Sequence, residues 1–143
     1  MFTTVFQPPV SKGDGYDRNN LLKASQLLDE AGWTIKNKQR VNTQTGKPLS
    51  FELLLPSGGN NQWVLPFQHN LERLGITMNI RQVDNSQITN RMRNRDYDMM
   101  PRLWRAMPWP SSDLQISWAS QYIDSTYNSP GVKNPAIDAL IAQ

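Results

Sequence analysis

Leu21, Ala24, Leu28 and Ala31 recur at the three-and-four spacing of one helical face, with Asp17 or Asn19 placed to cap its start and Gly32 to end it. After Trp33 that periodicity lapses into extended pieces, separated by a turn at Thr45, Gly46, Lys47 and Pro48. Residues 51–55, FELLL, form a nearly continuous apolar run, the mark of a strand covered on both faces. Residues 56–61, PSGGNN, break it. They read as a strand-to-helix connector, because no GK[ST] follows the glycine pair as a phosphate loop requires. A second helix is predicted over residues 62–74, with Val64, Phe67, Leu71 and Leu74 as its stripe and Gly75 as its stop. Ile76, Met78 and Ile80 then alternate with Thr77, Asn79 and Arg81, which predicts a strand with one covered face. Asp84, Asn85 or Ser86 caps a third helix, which turns Ile88 and Met92 inward and carries Arg91, Arg93 and Arg95 outward at the end its dipole favours for cations.

The stretch YDMMPRLWRAMPWPSSD, residues 97–113, cannot be an ordinary helix, because Pro101, Pro108 and Pro110 interrupt it. Residues 97–104 read as a short strand near a sheet edge, leading into a rigid loop that displays Trp109 and Arg105. Residues 114–120 then suit a short helix or turn carrying Trp118. Residues 127–131 suit a turn. Asn134 or Pro135 starts a terminal helix with Ile137, Leu140 and Ile141 on one side. Residues 139–143 fall midway through that apolar helix, which points to a piece of a longer protein. The alternation of helices and strands argues for an α/β layered lobe of βαβ units, with helices packed on a mixed sheet. Ligands of open α/β sheets gather beyond the carboxyl ends of the strands. Here that place is the loop after Trp104.

Composition narrows the chemistry. The 143 residues amount to about one domain, 38% hydrophobic and 19% charged. No apolar run approaches the roughly 20 residues of a membrane span. The first residues lack the basic and apolar blocks of a signal peptide. The absence of cysteine excludes disulfides, zinc–thiolate sites and a thiol nucleophile, and fits periplasm and cytosol equally. A net charge of +3 is too small to argue for nucleic acid, although Arg73, Arg81, Arg91, Arg93, Arg95, Arg102 and Arg105 fall close together. Catalytic constellations are missing, and the one histidine, His69, lies off its helix's apolar stripe with no co-ligand. Asp96 and Asp98 would share a strand face, yet in this setting they read as turn and strand-entry residues. An enzyme is therefore disfavoured, and no metal or cofactor is expected. What remains is a binding module, in which Trp104, Trp109 and Trp118 with Arg102 and Arg105 would stack on and pair with peptide, sugar or nucleic acid. The same tryptophans equally suit the cap of a core.

Several segments taken together carry a resemblance. They are Tyr16-Asp17, Lys23-Ala24, residues 27–33 (LLDEAGW), Gly46-Lys47-Pro48-Leu49, residues 71–76 (LERLGI), Val83-Asp84, residues 95–99 (RDYDM) and residues 134–141 (NPAIDALI). In this order they resemble the bacterial extracellular solute-binding proteins of family 5, the oligopeptide and dipeptide type, most closely the branch serving peptide and microcin-C-type importers. The resemblance implies a periplasmic-binding-protein-like lobe. Residues 1–143 would be a partial domain within the C-terminal lobe of a two-lobe periplasmic receptor. Such a receptor closes on a peptide and hands it to the membrane permease of an ABC importer, without inserting in the membrane or binding nucleic acid. In the family a tryptophan, then two further residues, precede an aspartate that holds the ligand's ammonium. Trp104 matches the tryptophan, but Met107 stands where the aspartate is expected. The ligand's N-terminus is therefore expected to be blocked, or held by another residue such as Asp113. A nucleic-acid or polyanion module built on the arginines from 73 to 105 is the alternative.

Overall fold

The computed structural model describes residues 5, 7–59, 61–103 and 112–142. In chain order its elements are α1 (Arg18–Glu30), β1 (Trp33–Lys36), β2 (Gln39–Asn42), β3 (Ser50–Pro56), α2 (Val64–Arg73), β4 (Thr77–Val83), α3 (Asn85–Asn94), α4 (Ser112–Trp118), a 3-10 turn (Ser120–Tyr122) and α5 (Pro135–Ile141). Contacts divide the chain into two compact units, residues 1–51 with 60–79 and residues 52–59 with 80–143.

In the first unit, Asp17 caps α1 by accepting the Asn20 N–H at 2.9 Å, and Gly32 takes the left-handed conformation after the helix. β1 and β2 pair antiparallel, with Lys36 opposite Gln39. The tight turn between them puts both Asn37 and Lys38 at positive φ, the geometry of a two-residue hairpin. Sequence reasoning found only the later turn, at Gly46, because Lys38 is not a residue expected at positive φ. The hairpin is fixed by Arg40, which is fully buried. Its guanidinium donates to Leu74 O at 3.0 Å and Trp33 O at 2.9 Å, pairs with Asp29, and donates to the hydroxyl of Ser25. Helix α2 ends at Gly75, whose φ of +79° is out of reach for most side chains and whose carbonyl accepts the Arg40 N–H at 2.7 Å. A Cβ at Gly75 would meet that backbone nitrogen at 2.9 Å, so glycine is required twice over.

β3 and β4 pair with each other, and the bonds at their ends, Thr77 N–H to Leu49 O and Ser57 N–H to Val83 O, rise together along both chains as in a parallel pair. Leu53, Leu54 and Leu55 are completely buried, as the apolar run predicts. Ile76, just before β4, and Met78 on it are buried while Ile80 is exposed, so the expected alternation holds only at the strand's start. Asp84 caps α3 by accepting the Gln87 N–H at 2.9 Å. Asn134 caps α5, whose first residue is Pro135.

Candidate functional site

The site is built in the second unit around the segment that leaves α3. Over its described part, residues 97–103, the segment does not form the expected strand; Trp104, at its predicted end, lies outside the described residues. Only Met99 pairs, in parallel, with Leu53: its N–H donates to Glu52 O at 3.2 Å and its carbonyl accepts the Leu54 N–H at 2.8 Å. The chain chemistry stops the ladder on both sides. The next bond forward needs the N–H of residue 101, which is proline. Backward, the Glu52 N–H is taken by the Asp98 carboxylate at 2.9 Å instead of a backbone carbonyl. Because β3, β4 and Met99 run the same way, the exposed residues Pro101 to Leu103 leave at the carboxyl end of the set.

Two clefts flank this segment. The first, about 440 Å³, is lined by Glu52, Arg81, Arg91, Arg95, Asp96, Tyr97 and Asp98. Its charges are largely matched internally, for the Glu52 carboxylate lies 3.5 Å from both Arg81 and Arg91, and Arg91 is 3.6 Å from Asp96. This corrects one expectation. Arg91 turns inward to these carboxylates rather than outward. Asp96 follows the end of α3 and Asp98 directly precedes the bridge at Met99, the turn and strand-entry places expected of them, where they serve an ion pair and a backbone N–H. The second cleft, about 270 Å³, is lined by Tyr97, Asp98, Met99, Met100, Arg102, Ser129 and Pro130.

The turn that closes the second cleft is pinned by Asn128, which is fully buried. Its amide donates to Val132 O at 2.9 Å and accepts the Val132 N–H at 2.9 Å. The Tyr97 hydroxyl donates to Ser129 O at 2.9 Å. Arg95 ends α3 in the left-handed conformation (φ 53°), and its guanidinium donates to the carbonyls of Ile123 and Asn128. Sequence reasoning saw residues 127–131 only as a turn. No local pattern reveals that Asn128, Ser129 and Pro130 meet a segment some 30 residues earlier, although a turn asparagine followed by Ser-Pro-Gly is the type of signal that could have prompted the question.

Of the residues singled out from the sequence, Arg102 is exposed and donates to the Met92 sulfur at 2.8 Å. Asp113 lies exposed in the first turn of α4, and Trp118, half-buried, closes that helix. Trp104, Arg105, Met107 and Trp109 lie outside the described residues. His69 is exposed beside Glu72, with Nδ1 to Oε2 at 3.1 Å. Arg81, Arg91 and Arg95 share the first cleft with carboxylates rather than standing as free cations. Arg73 lies over the Tyr16 ring at 4.5 Å and donates to Asn70, while Arg81 and Arg91 face Glu52. This arrangement gives the polyanion alternative no support. Among the described residues, no cluster of histidine and carboxylates could hold a metal, and no helix is long and apolar enough to cross a membrane.

Two aspartates in this unit are held ionised more strongly than usual. Asp84 has a lowered pKa because the Ser86 hydroxyl and then the Gln87 N–H donate to it. Asp138 is lowered by the hydroxyl and then the N–H of Ser120.

Comparison with known proteins sets this geometry in context. The family model for bacterial extracellular solute-binding proteins, family 5 (middle region), matches residues 2–125. The chain is 76% identical over 143 residues to the uncharacterized protein YejA of Escherichia coli strain K12, covering 100% of this chain and 24% of that protein. It is 38% identical to a probable peptide-binding protein YejA of Agrobacterium fabrum strain C58, covering 99% of this chain and 23% of that protein. Among solved structures, the oligopeptide-binding protein AppA from Bacillus subtilis, in complex with a nonapeptide, matches with a TM-score of 0.69 at 28% identity, over 85% of this chain and 24% of that one. The chain thus spans about a quarter of the length of the relatives it matches.

Proposed function

This chain belongs to the bacterial extracellular solute-binding proteins of family 5, and from that premise we propose that it forms part of the C-terminal lobe of a two-lobe receptor that binds peptides for an ABC importer. The observation that carries the reading is the alignment of nearly its whole length with a relative described as a probable peptide-binding protein. The arrangement supports it. A parallel set of extended segments sends the chain out through Pro101 to Leu103 at its carboxyl end, where α/β folds bind ligands. The receptor works in the periplasm of a Gram-negative bacterium, passes its peptide to the membrane permease and performs no catalysis. Backbone hydrogen bonds and bridging water hold the peptide, and hinge closure of the second lobe buries it.

Arg102, Trp104, Arg105, Met107, Trp109, Asp113 and Trp118 are the ligand contacts of this reading. Met107 shapes the ligand's identity. A buried ammonium facing a thioether lacks a charged partner, which costs several kcal/mol. A formylated or otherwise blocked terminus carries no such charge. Asp113 is the carboxylate that would hold a free amine instead.

The test is tryptophan fluorescence of the full-length parent, titrated with one short peptide in free-amine and N-formyl forms. Saturable change with the formyl form alone supports both the receptor and the Met107 argument. Preference for the free amine overturns the blocked end and points to Asp113. Silence with both forms overturns the peptide receptor.

A further inference from the structure

We propose that Met92 is a reversible oxidation site: hydrogen peroxide converts its thioether to a sulfoxide, and the new oxygen fastens Arg102, with the exposed segment Pro101 to Leu103, to α3. Neither the oxidation nor the fastening involves a bound peptide.

Met92 lies in the last turn of α3 and is half-buried, open to a molecule as small as a peroxide. Met78, at 2% exposure, is shielded. After the helix, left-handed Arg95 turns the chain and Met99 fixes it to β3. Arg102 then comes back to α3, where its Nη1 donates to the Met92 sulfur at 2.8 Å. That bond is weak in the reduced protein, because a thioether sulfur is a poor acceptor and Arg102 is exposed to competing water.

Oxidation replaces the poor acceptor with a good one. A sulfur lone pair attacks one oxygen of hydrogen peroxide, and the sulfur–oxygen bond forms as the oxygen–oxygen bond breaks. The departing hydroxide takes the proton left on the transferred oxygen and leaves as water. Sulfur is oxidised by two electrons and the peroxide is reduced by two. The sulfoxide oxygen carries partial negative charge, so a guanidinium donating to it makes a bond of the stronger, charge-assisted class. A sulfoxide in a core disrupts packing, whereas at Met92 the polar oxygen has a cation beside it. The guanidinium also covers one side of the sulfur. Peroxide therefore arrives at the other side, one sulfoxide epimer predominates, and rotation about the Cγ–Sδ bond brings its oxygen to Arg102. Methionine sulfoxide reductases, one for each epimer, reverse the change.

The experiment treats the full-length parent with graded hydrogen peroxide, digests it, and reads oxidation methionine by methionine from peptide masses. Met92 should be converted at doses that leave Met78 intact. Amide hydrogen exchange in the peptide covering residues 100–103 should slow roughly threefold to tenfold on oxidation of the wild type, the gain of an ordinary hydrogen bond. It should not slow in Arg102→Ala or in Met92→Leu, the second of which also controls for oxidation elsewhere. Arg102→Lys, which keeps a cation, should retain part of the slowing. When the digest is treated with the reductase for a single epimer, one of the two enzymes should restore most of the Met92 sulfoxide from the wild type, while Arg102→Ala gives a more even mixture. Exchange that is unchanged or faster in the oxidised wild type, slowing that survives Arg102→Ala, an even mixture of epimers from the wild type, or a Met92 that resists peroxide as Met78 does would each overturn the site.

Discussion

Arg40 shows how much one side chain settles in this protein. Its guanidinium donates to the carbonyls of Leu74 and Trp33, contacts Ser25 and pairs with Asp29 at the helix end, all from a position with no solvent exposure. A buried guanidinium is tolerable only when its donors are satisfied, and its removal leaves several carbonyls without partners. Arg40→Ala is expected to lower the unfolding free energy by about 3–5 kcal/mol, measured by urea denaturation. Arg40→Lys should recover only part of it, because an ammonium cannot span the fork of acceptors. Arg95 makes a second residue-scale case. It holds a left-handed backbone that glycine adopts without strain, and its guanidinium ties the helix end to the carbonyls of Ile123 and Asn128. Arg95→Ala keeps the backbone strain and loses the tie, whereas Arg95→Gly loses only the tie. The glycine variant should therefore melt higher than the alanine variant, by roughly 1 kcal/mol in stability. Equal melting of the two would remove backbone strain from the explanation.

At the scale of elements, caps and breakers decide where helices and strands begin and stop. The sequence offers Asp17 or Asn19, Asp84, Asn85 or Ser86, and Asn134 or Pro135 at the three helix starts, and the structure gives the cap to Asp17, Asp84 and Asn134, whose side-chain oxygens reach N–H groups two or three residues on. Acid should loosen these elements. Asp84 and Asp138 have pKa values below the ordinary 3.8 in the folded chain. Their contribution is therefore fully present above about that value and is lost as the pH falls through the lowered folded values. Melting curves between pH 5 and 2, an interval chosen to span about two units around that value, should show the wild type losing more stability than an Asp84→Ala, Asp138→Ala double variant. Parallel curves would overturn the assignment. The segment at residues 97–103 failed as a strand for reasons that were half visible. Pro101 removes a ladder donor, as its type announces. That the Asp98 side chain takes the Glu52 N–H depends on residues 46 positions apart, which no local pattern couples.

For the whole molecule, the central fact is that the chain spans about a quarter of its relatives' length. If the proposed receptor closes two lobes on its ligand, this chain, as part of one lobe, supplies only a share of the contacts. The isolated 143-residue chain is expected to bind a pentapeptide at least about a hundredfold more weakly than the full-length parent, an effect readable by isothermal titration. Comparable affinity would show that this segment carries the ligand site by itself. The sequence by itself determined the succession of helices and extended segments, the buried leucine strand, the caps, and, through its ordered motifs, the family. Those properties follow from spacing and residue type within a few positions of the chain, where the 3.6- and 2-residue periods act. Only the tertiary structure decided that the hairpin turns at Asn37 and Lys38, that Arg40 is the buried anchor, that Arg91 faces Glu52, and that Ser129 and Pro130 close a cleft against Tyr97. Each of these joins positions distant in sequence. Such pairings are selected by the competition to bury apolar surface and satisfy every buried polar group at once, a condition set by the whole folded chain rather than by any stretch of it.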